Sequence, residues 1–227
     1  MKFLAYLRYF FFLATNWNVG IALHIIRNEK RGEKKYGINT TGTDDLKNLE
    51  EKGIDTDHAT FYMAAGYDIL EAVFAQCNLA ASAHFIDIGC GKGRTMCVAA
   101  YMGAKKITGI DFSKAFCDEA EINLQKTKEK ISSFNFNVFH NDAFYFEIPD
   151  DADIIFLFNP FDEVIMSGVV ENIEMSLERN PRPMNIIYAN PMEKHLFVEA
   201  GYVQTYHIQK LKYLEAVILK KPAKPAI

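Results

Sequence analysis

From His84 onward the sequence alternates short apolar runs with amphipathic stretches, and this alternation constrains the fold more than any other feature. Runs of four to six apolar residues read as buried strands, while apolar positions recurring every three to four residues read as helices. The pattern predicts strands at Phe85–Ile88, Ile107–Ile110, Phe136–Phe139, Ile154–Phe158 and Asn185–Tyr188. Between them it predicts helices at Arg94–Tyr101, Lys114–Lys128, Asp162–Leu177 and near Met192–Glu199. Strands separated by helices pair in parallel, giving an α/β, doubly wound sheet with helices on both faces. Two last strands, Tyr202–Ile208 and Tyr213–Leu219, lie too close for a helical crossover and should form an antiparallel hairpin.

The 227 residues suit one such domain with an extension. The division expected is an N-terminal helical cap or arm over residues 1–80, the main domain over 81–221 and a frayed tail over 222–227. Within the arm, Thr43 reads as the N-cap of a helix ended by Gly53, and a second helix runs from about His58 to Cys77. Eighteen residues without formal charge separate Arg8 from Arg27, the lower limit for crossing a bilayer, but they include Thr15, Asn16, Asn18, Gly20 and His24. Residues 3–26 therefore either cap the domain or make peripheral membrane contact. Residues 1–35 carry a formal +5 and the remainder −9. With no basic stripe elsewhere, no nucleic acid is expected as partner. The four cysteines show no C-x-x-C spacing, which points to a reducing, cytoplasmic setting, with membrane association left open by the N-terminus. His58, His84, His140, His195 and His207 are scattered, so no metal site is expected.

The chemistry concentrates in FIDIGCGKGR. Gly89, Gly91 and Gly93 stand between a strand and a helix, where bare backbone lets a ligand approach amide groups at the helix N-terminus. The dinucleotide fingerprint G-x-G-x-x-G requires a third glycine where this chain has Arg94. An acid, Asp87, precedes the loop, which suits a ligand carrying a cation better than a pyrophosphate. Asp111 ends the second strand, 22 residues after Gly89, where a carboxylate can accept both hydroxyls of a ribose.

An acid followed by G-x-G-x-G at the end of the first strand resembles the class I S-adenosylmethionine-dependent methyltransferases, over about Phe85 to Leu219. The resemblance implies a Rossmann-like, seven-stranded sheet and S-adenosylmethionine as cofactor. It further implies that Asp87 and the glycines hold the methionine part, that Asp111 holds the ribose and that Phe112 flanks the adenine. Asp142, in HNDAF, would accept the adenine amino group, with Ala143 offering its backbone amide.

Phe158-Asn159-Pro160-Phe161 closes the fourth strand, at the sheet edge where α/β folds bind ligands. An Asn carbonyl there can accept the N–H bonds of an amine and aim its lone pair at a methyl group. The segment resembles the N-P-P-[YF] motif of amino-group methyltransferases, without its second proline. Asn159, Pro160 and Phe161 are thus the expected catalytic residues, with a protein side chain or a small-molecule amine as acceptor. Phe158, Phe161 and Tyr62 would form an aromatic surround, and Tyr62 and Tyr36 would line the entrance. Asn190-Pro191 reads as a turn. Two other classes stay open: a non-catalytic adaptor tethered through its N-terminus, and a nicotinamide-dependent oxidoreductase. The oligomeric state is not legible.

Overall fold

The computed structural model describes residues 2–41, 43–44, 62–158, 161–212 and 214–222. Among them lies a seven-stranded sheet built from β3 (Phe85–Ile88), β4 (Lys106–Asp111), β5 (Asn135–His140), β6 (Ile154–Phe158), β7 (Met184–Ala189), β8 (Val203–Lys210) and β9 (Leu214–Lys221). The strand order is β5-β4-β3-β6-β7-β9-β8. The first five strands pair in parallel, and β9 runs antiparallel to both β7 and β8. This is the doubly wound sheet with a terminal hairpin that the alternation predicts. The order reverses between β4 and β6, on either side of β3, and it is there that such sheets bind ligands.

Both faces are covered, so the inner strands are apolar throughout. All four residues of β3 are buried. Successive side chains point to opposite faces. Phe85, Phe156, Ile187 and Ile218 join one core with α3 (Tyr67–Phe74) and α4 (Arg94–Tyr101), beside α5 (Lys114–Lys128). Ile86, Ile88, Leu157 and Tyr188 join the other with α6 (Glu163–Arg179) and α7 (Lys194–Glu199). Asp162 caps α6, its carboxylate accepting the Ile165 N–H at 3.1 Å.

Ahead of the sheet stands a helical hairpin, α1 (Lys2–Asn16) and α2 (Val19–Tyr36), closed over Tyr9, Leu13 and Ala22. Asn18 caps α2 by accepting the Ile21 N–H at 2.9 Å. Gly37 ends it at φ 70°, its N–H donating to the Glu33 carbonyl. Among the described residues no helix is long and apolar enough to cross a membrane.

The arm departs from the expected helices. Thr43–Asp44 is a short strand, β1, paired antiparallel with β2 (Tyr62–Met63). Helix α3 begins only at Tyr67, not near His58. Gly66 is extended there, and the Tyr67 ring lies flat on Gly32, where a Cβ would stand 2.1 Å from it. Burial of that ring, rather than periodicity, sets the helix start. Residues 45–61, the remainder of both expected helices, lie outside the described residues, as does the tail from 223. Tyr36, Ile38 and α3 share the core cluster of Phe85 and Phe156, so this part of the arm is packed into the domain.

Candidate active site

The loop after β3 turns through Gly89, Gly91 and Gly93, at φ 77°, 51° and 76°. Gly93 both needs this left-handed conformation and starts α4 against α5, where a Cβ would meet that of Ala120 at 3.0 Å. The loop is held against β4 by the Gly89 and Cys90 N–H groups, which donate to the Ile110 carbonyl at 2.8 and 2.9 Å. Gly109, on β4, leaves room for Cys90 Sγ and Met96 Sδ, which a Cβ would approach to 2.9 and 2.4 Å.

Two buried carboxylates flank this turn. Asp111 Oδ2 accepts the Gly91 N–H at 2.8 Å, and Oδ1 accepts the Ser113 N–H at 2.9 Å. Burial pushes the Asp111 carboxyl up to about 6, against the pull of those two backbone hydrogen bonds. Asp87, one strand away, is 2% exposed, and its Oδ2 has no hydrogen-bond partner among the described residues. Burial, reinforced by the Asp111 charge, raises its carboxyl well above the ordinary range. A buried polar atom without a partner is rare in folded proteins. Here it marks a place where a ligand's ammonium group would be satisfied.

The adenine-side candidates converge from neighbouring strand ends. Asn141 N–H donates to the Asp111 carbonyl at 3.1 Å, and His140 Nε2 donates to the Phe112 carbonyl at 3.0 Å, drawing the end of β5 against the end of β4. Asp142 caps a single turn over Ala143–Tyr145, accepting the Phe144 N–H at 2.9 Å. Ala143 is buried beneath it.

On the acceptor side, Asn159 and Pro160 lie outside the described residues. Phe158 and Phe161 do not share a surround. Phe161 is buried in the cluster of Met166 and Tyr188, whereas Phe158 packs against the opposite cluster. The Tyr62 side chain is outside the described residues. Tyr36 lines no entrance, because its ring is buried and stacked on Tyr67 at 5.5 Å. Its hydroxyl donates to Glu71 Oε1 at 2.9 Å.

Arg94, which breaks the dinucleotide fingerprint, fastens the arm to the loop. Its guanidinium donates to Glu29 Oε1 and Oε2 at 2.6 and 2.5 Å, to Thr40 Oγ1 at 2.7 Å and to the Ala65 carbonyl at 3.1 Å. It also lies 4.2 Å from the Tyr67 ring centroid. Both ends of the pair are buried.

A cavity of about 200 Å³ opens between α2 and the C-terminal edge of the sheet. Trp17, Ile21 and Ile25 line it from the arm, Phe158 and Glu215 from β6 and β9, and Asn190 from just after β7. Asn190 stands at φ 47°, a conformation that asparagine tolerates better than most residues. The sequence signalled Asn190 only as a turn and Trp17 only as an aromatic suited to a core or an interface, and nothing local marked Ile25.

Residues 85–179 match the family described as a methyltransferase domain. They are a methyltransferase domain. Solved structures of like fold include a precorrin-6y C5,15-methyltransferase of Geobacter metallireducens, 12% identical at a TM-score of 0.55, covering 70% of this chain and 90% of that one. A ribosomal protein L11 methylase of Lactobacillus delbrueckii is 13% identical at 0.52, covering 69% and 78%. Magnesium protoporphyrin IX methyltransferase of Synechocystis, solved with bound S-adenosylmethionine, is 18% identical at 0.50, covering 69% and 79%. No curated protein matches the sequence. The glycine turn of this domain, with Asp87 and Asp111 buried beside it, fits S-adenosylmethionine as cofactor.

Proposed function

We propose that this methyltransferase acts on an amine nitrogen, carried by a lysine-like protein side chain or by a small molecule. When bound, S-adenosylmethionine supplies a methyl group on a cationic sulfur. Asp87 and the turn of Gly89, Gly91 and Gly93 would hold its methionine part. Asp111 would take the ribose, and Phe112, Asp142 and Ala143 the adenine. The observation that carries this assignment is the partnerless buried Asp87 Oδ2 beside a left-handed turn of three glycines. The amine reading rests on Asn159 following Phe158 at the end of β6, and on an adjacent cavity that is apolar yet rimmed by Glu215. The ribosomal protein L11 methylase shows that the fold serves a protein acceptor.

Calorimetric titration with S-adenosylmethionine and with NADH tests the cofactor assignment; tight binding of the first alone is expected. Incubation with methyl-labelled cofactor and a cell lysate tests the acceptor, which should be labelled on nitrogen. Label on oxygen or carbon would refute the amine reading. Asn159→Ala should leave S-adenosylhomocysteine affinity nearly unchanged and lower turnover, because its bonds act on the acceptor.

The N-terminal hairpin carries a second part of the proposal, peripheral contact with a membrane surface. Leu7 (42%), Phe11 (58%), Val19 (57%) and Leu23 (43%) are exposed apolar side chains, and Arg8 and Arg27 are exposed beside them.

A further inference from the structure

A second, smaller cavity of about 40 Å³ adjoins the apolar one, sharing Ile25, Met63, Gly66, Phe158 and Leu214 with it. Its chemistry is different. His24, Asn28, Glu29 and Asp68 line it. Asp68 Oδ2 stands 3.2 Å from His24 Nε2 and 3.0 Å from Lys210 Nζ. Asn28 Nδ2 also reaches His24 Nε2, at 2.9 Å, but one ring nitrogen cannot donate to Asp68 and accept from Asn28 at once. Nε2 therefore serves one of these two contacts at a time. Phe158, at the C-terminal end of β6, lines both chambers, and Glu29, in the wall of the polar one, is paired with Arg94.

We propose that the two chambers together form the acceptor site, and that it takes a primary amine at the end of an apolar arm. The nitrogen would sit among Asp68, His24 and Asn28. The arm would lie along Trp17, Ile21 and Ile25. The physical reasoning is one of complementarity. An ammonium group has three donors and no acceptor, and it meets an imidazole, an amide and the carboxylate of Asp68, whose Oδ2 it would share with Lys210 or take from it. A larger chamber of about 200 Å³ holds a phenyl ring or a chain of several methylenes, and its walls offer such an arm little to hydrogen-bond. A free arylalkylamine and a protein lysine share this chemistry. The site assignment rests on the methyltransferase reading above and deepens it.

Calorimetry on the full chain saturated with S-adenosylhomocysteine tests the proposal, with phenethylamine and Nα-acetyl-lysine methylamide as probes and 2-phenylethanol as the neutral control. Phenethylamine or the lysine derivative should bind at least tenfold more tightly than 2-phenylethanol. The tighter of the two identifies the source of the amine. Asp68→Asn should remove at least tenfold of amine affinity and leave 2-phenylethanol binding unchanged, a difference that mere loss of packing would not produce. Ile25→Trp should abolish binding of all three by filling the larger chamber. Leu214→Trp, from the other wall, does the same should the first variant misfold. Trp17 is the only tryptophan in the parent chain, so its fluorescence gives an independent readout there and in Asp68→Asn. Three results overturn the proposal while leaving the cofactor assignment intact: S-adenosylhomocysteine binds and neither amine does; amine and alcohol bind equally; or neither tryptophan variant affects binding. Failure of S-adenosylhomocysteine itself to bind overturns the cofactor assignment, and the acceptor site with it.

Discussion

Two carboxylates on adjacent strands determine how the cofactor site responds to pH. Asp111 is raised by burial to about 6, above its ordinary value of 3.8. Between those two values the folded chain binds more protons than the unfolded one. Its stability without ligand therefore falls as pH rises through that window. Ligand binding should show the opposite trend. The ribose hydroxyls and the ammonium of S-adenosylhomocysteine favour ionised Asp111 and Asp87, so binding should release protons and strengthen as pH climbs through about 6. Titrations at about pH 5 and about pH 7.5, in buffers of different ionisation enthalpy, measure both effects. PH-independent affinity would exclude both acids from the site. Asp111→Ala should weaken binding by about 2 kcal/mol, roughly 30-fold, through the lost ribose acceptor and the released Gly91 and Ser113 amides.

Among the elements, the hairpin α1–α2 depends most on a few polar contacts. The buried Glu29–Arg94 pair joins it to the cofactor turn, and breaking one partner of such a pair costs about 3–5 kcal/mol. Glu29→Gln or Arg94→Met should therefore loosen the arm, seen as a shift in Trp17 fluorescence and earlier thermal unfolding, while Glu29→Leu with Arg94→Met should recover much of the loss. A second clasp lies at Glu71. Burial would raise its carboxyl, yet hydrogen bonds from Arg31, Lys35 and Tyr36 hold it down at about 2. This contribution is complete above about pH 4.5 and is lost as pH falls towards 2, so acid should release the arm, with Trp17 reporting it. These contacts show where the sequence was legible. The sheet was readable because the inner strands β3 and β6 are short apolar runs and most crossovers carry a helix, and the G-x-G-x-G turn is contiguous. The hairpin's docking was not, because Glu29 and Arg94 are 65 residues apart and His24 and Asp68 are 44 apart. Each reads in isolation as an ordinary surface charge. The expected aromatic surround of Phe158 and Phe161 failed for a related reason: three residues apart across a strand end, they pack in cores on opposite faces.

At the scale of the whole molecule, charge is segregated, with +5 in residues 1–35 against −9 in the rest. Along α2 the exposed positions Val19, Leu23, Arg27, Lys30 and Lys34 recur every three to four residues, placing an apolar end and a cationic end on one line. Exposed Leu7 and Phe11 follow the same spacing on α1, next to Arg8. Apolar side chains beside cations suit an anionic lipid surface, where each basic residue contributes about 1 kcal/mol within a Debye length. A domain that is otherwise acidic would be repelled by that surface and would turn its hairpin towards it. Flotation with vesicles containing phosphatidylserine should carry the protein upward, and pure phosphatidylcholine vesicles should carry much less. Adding salt to about 0.5 M should weaken the attachment by screening. Replacing Phe11 and Leu23 by serine should weaken it at any salt concentration, because the apolar contribution is not screened. Equal flotation with both lipids would remove the electrostatic part of the proposal, and none with either would leave the hairpin as a packing element alone. S-adenosylhomocysteine binding in the double serine variant should match that of the parent, since neither side chain touches the glycine turn or its acids.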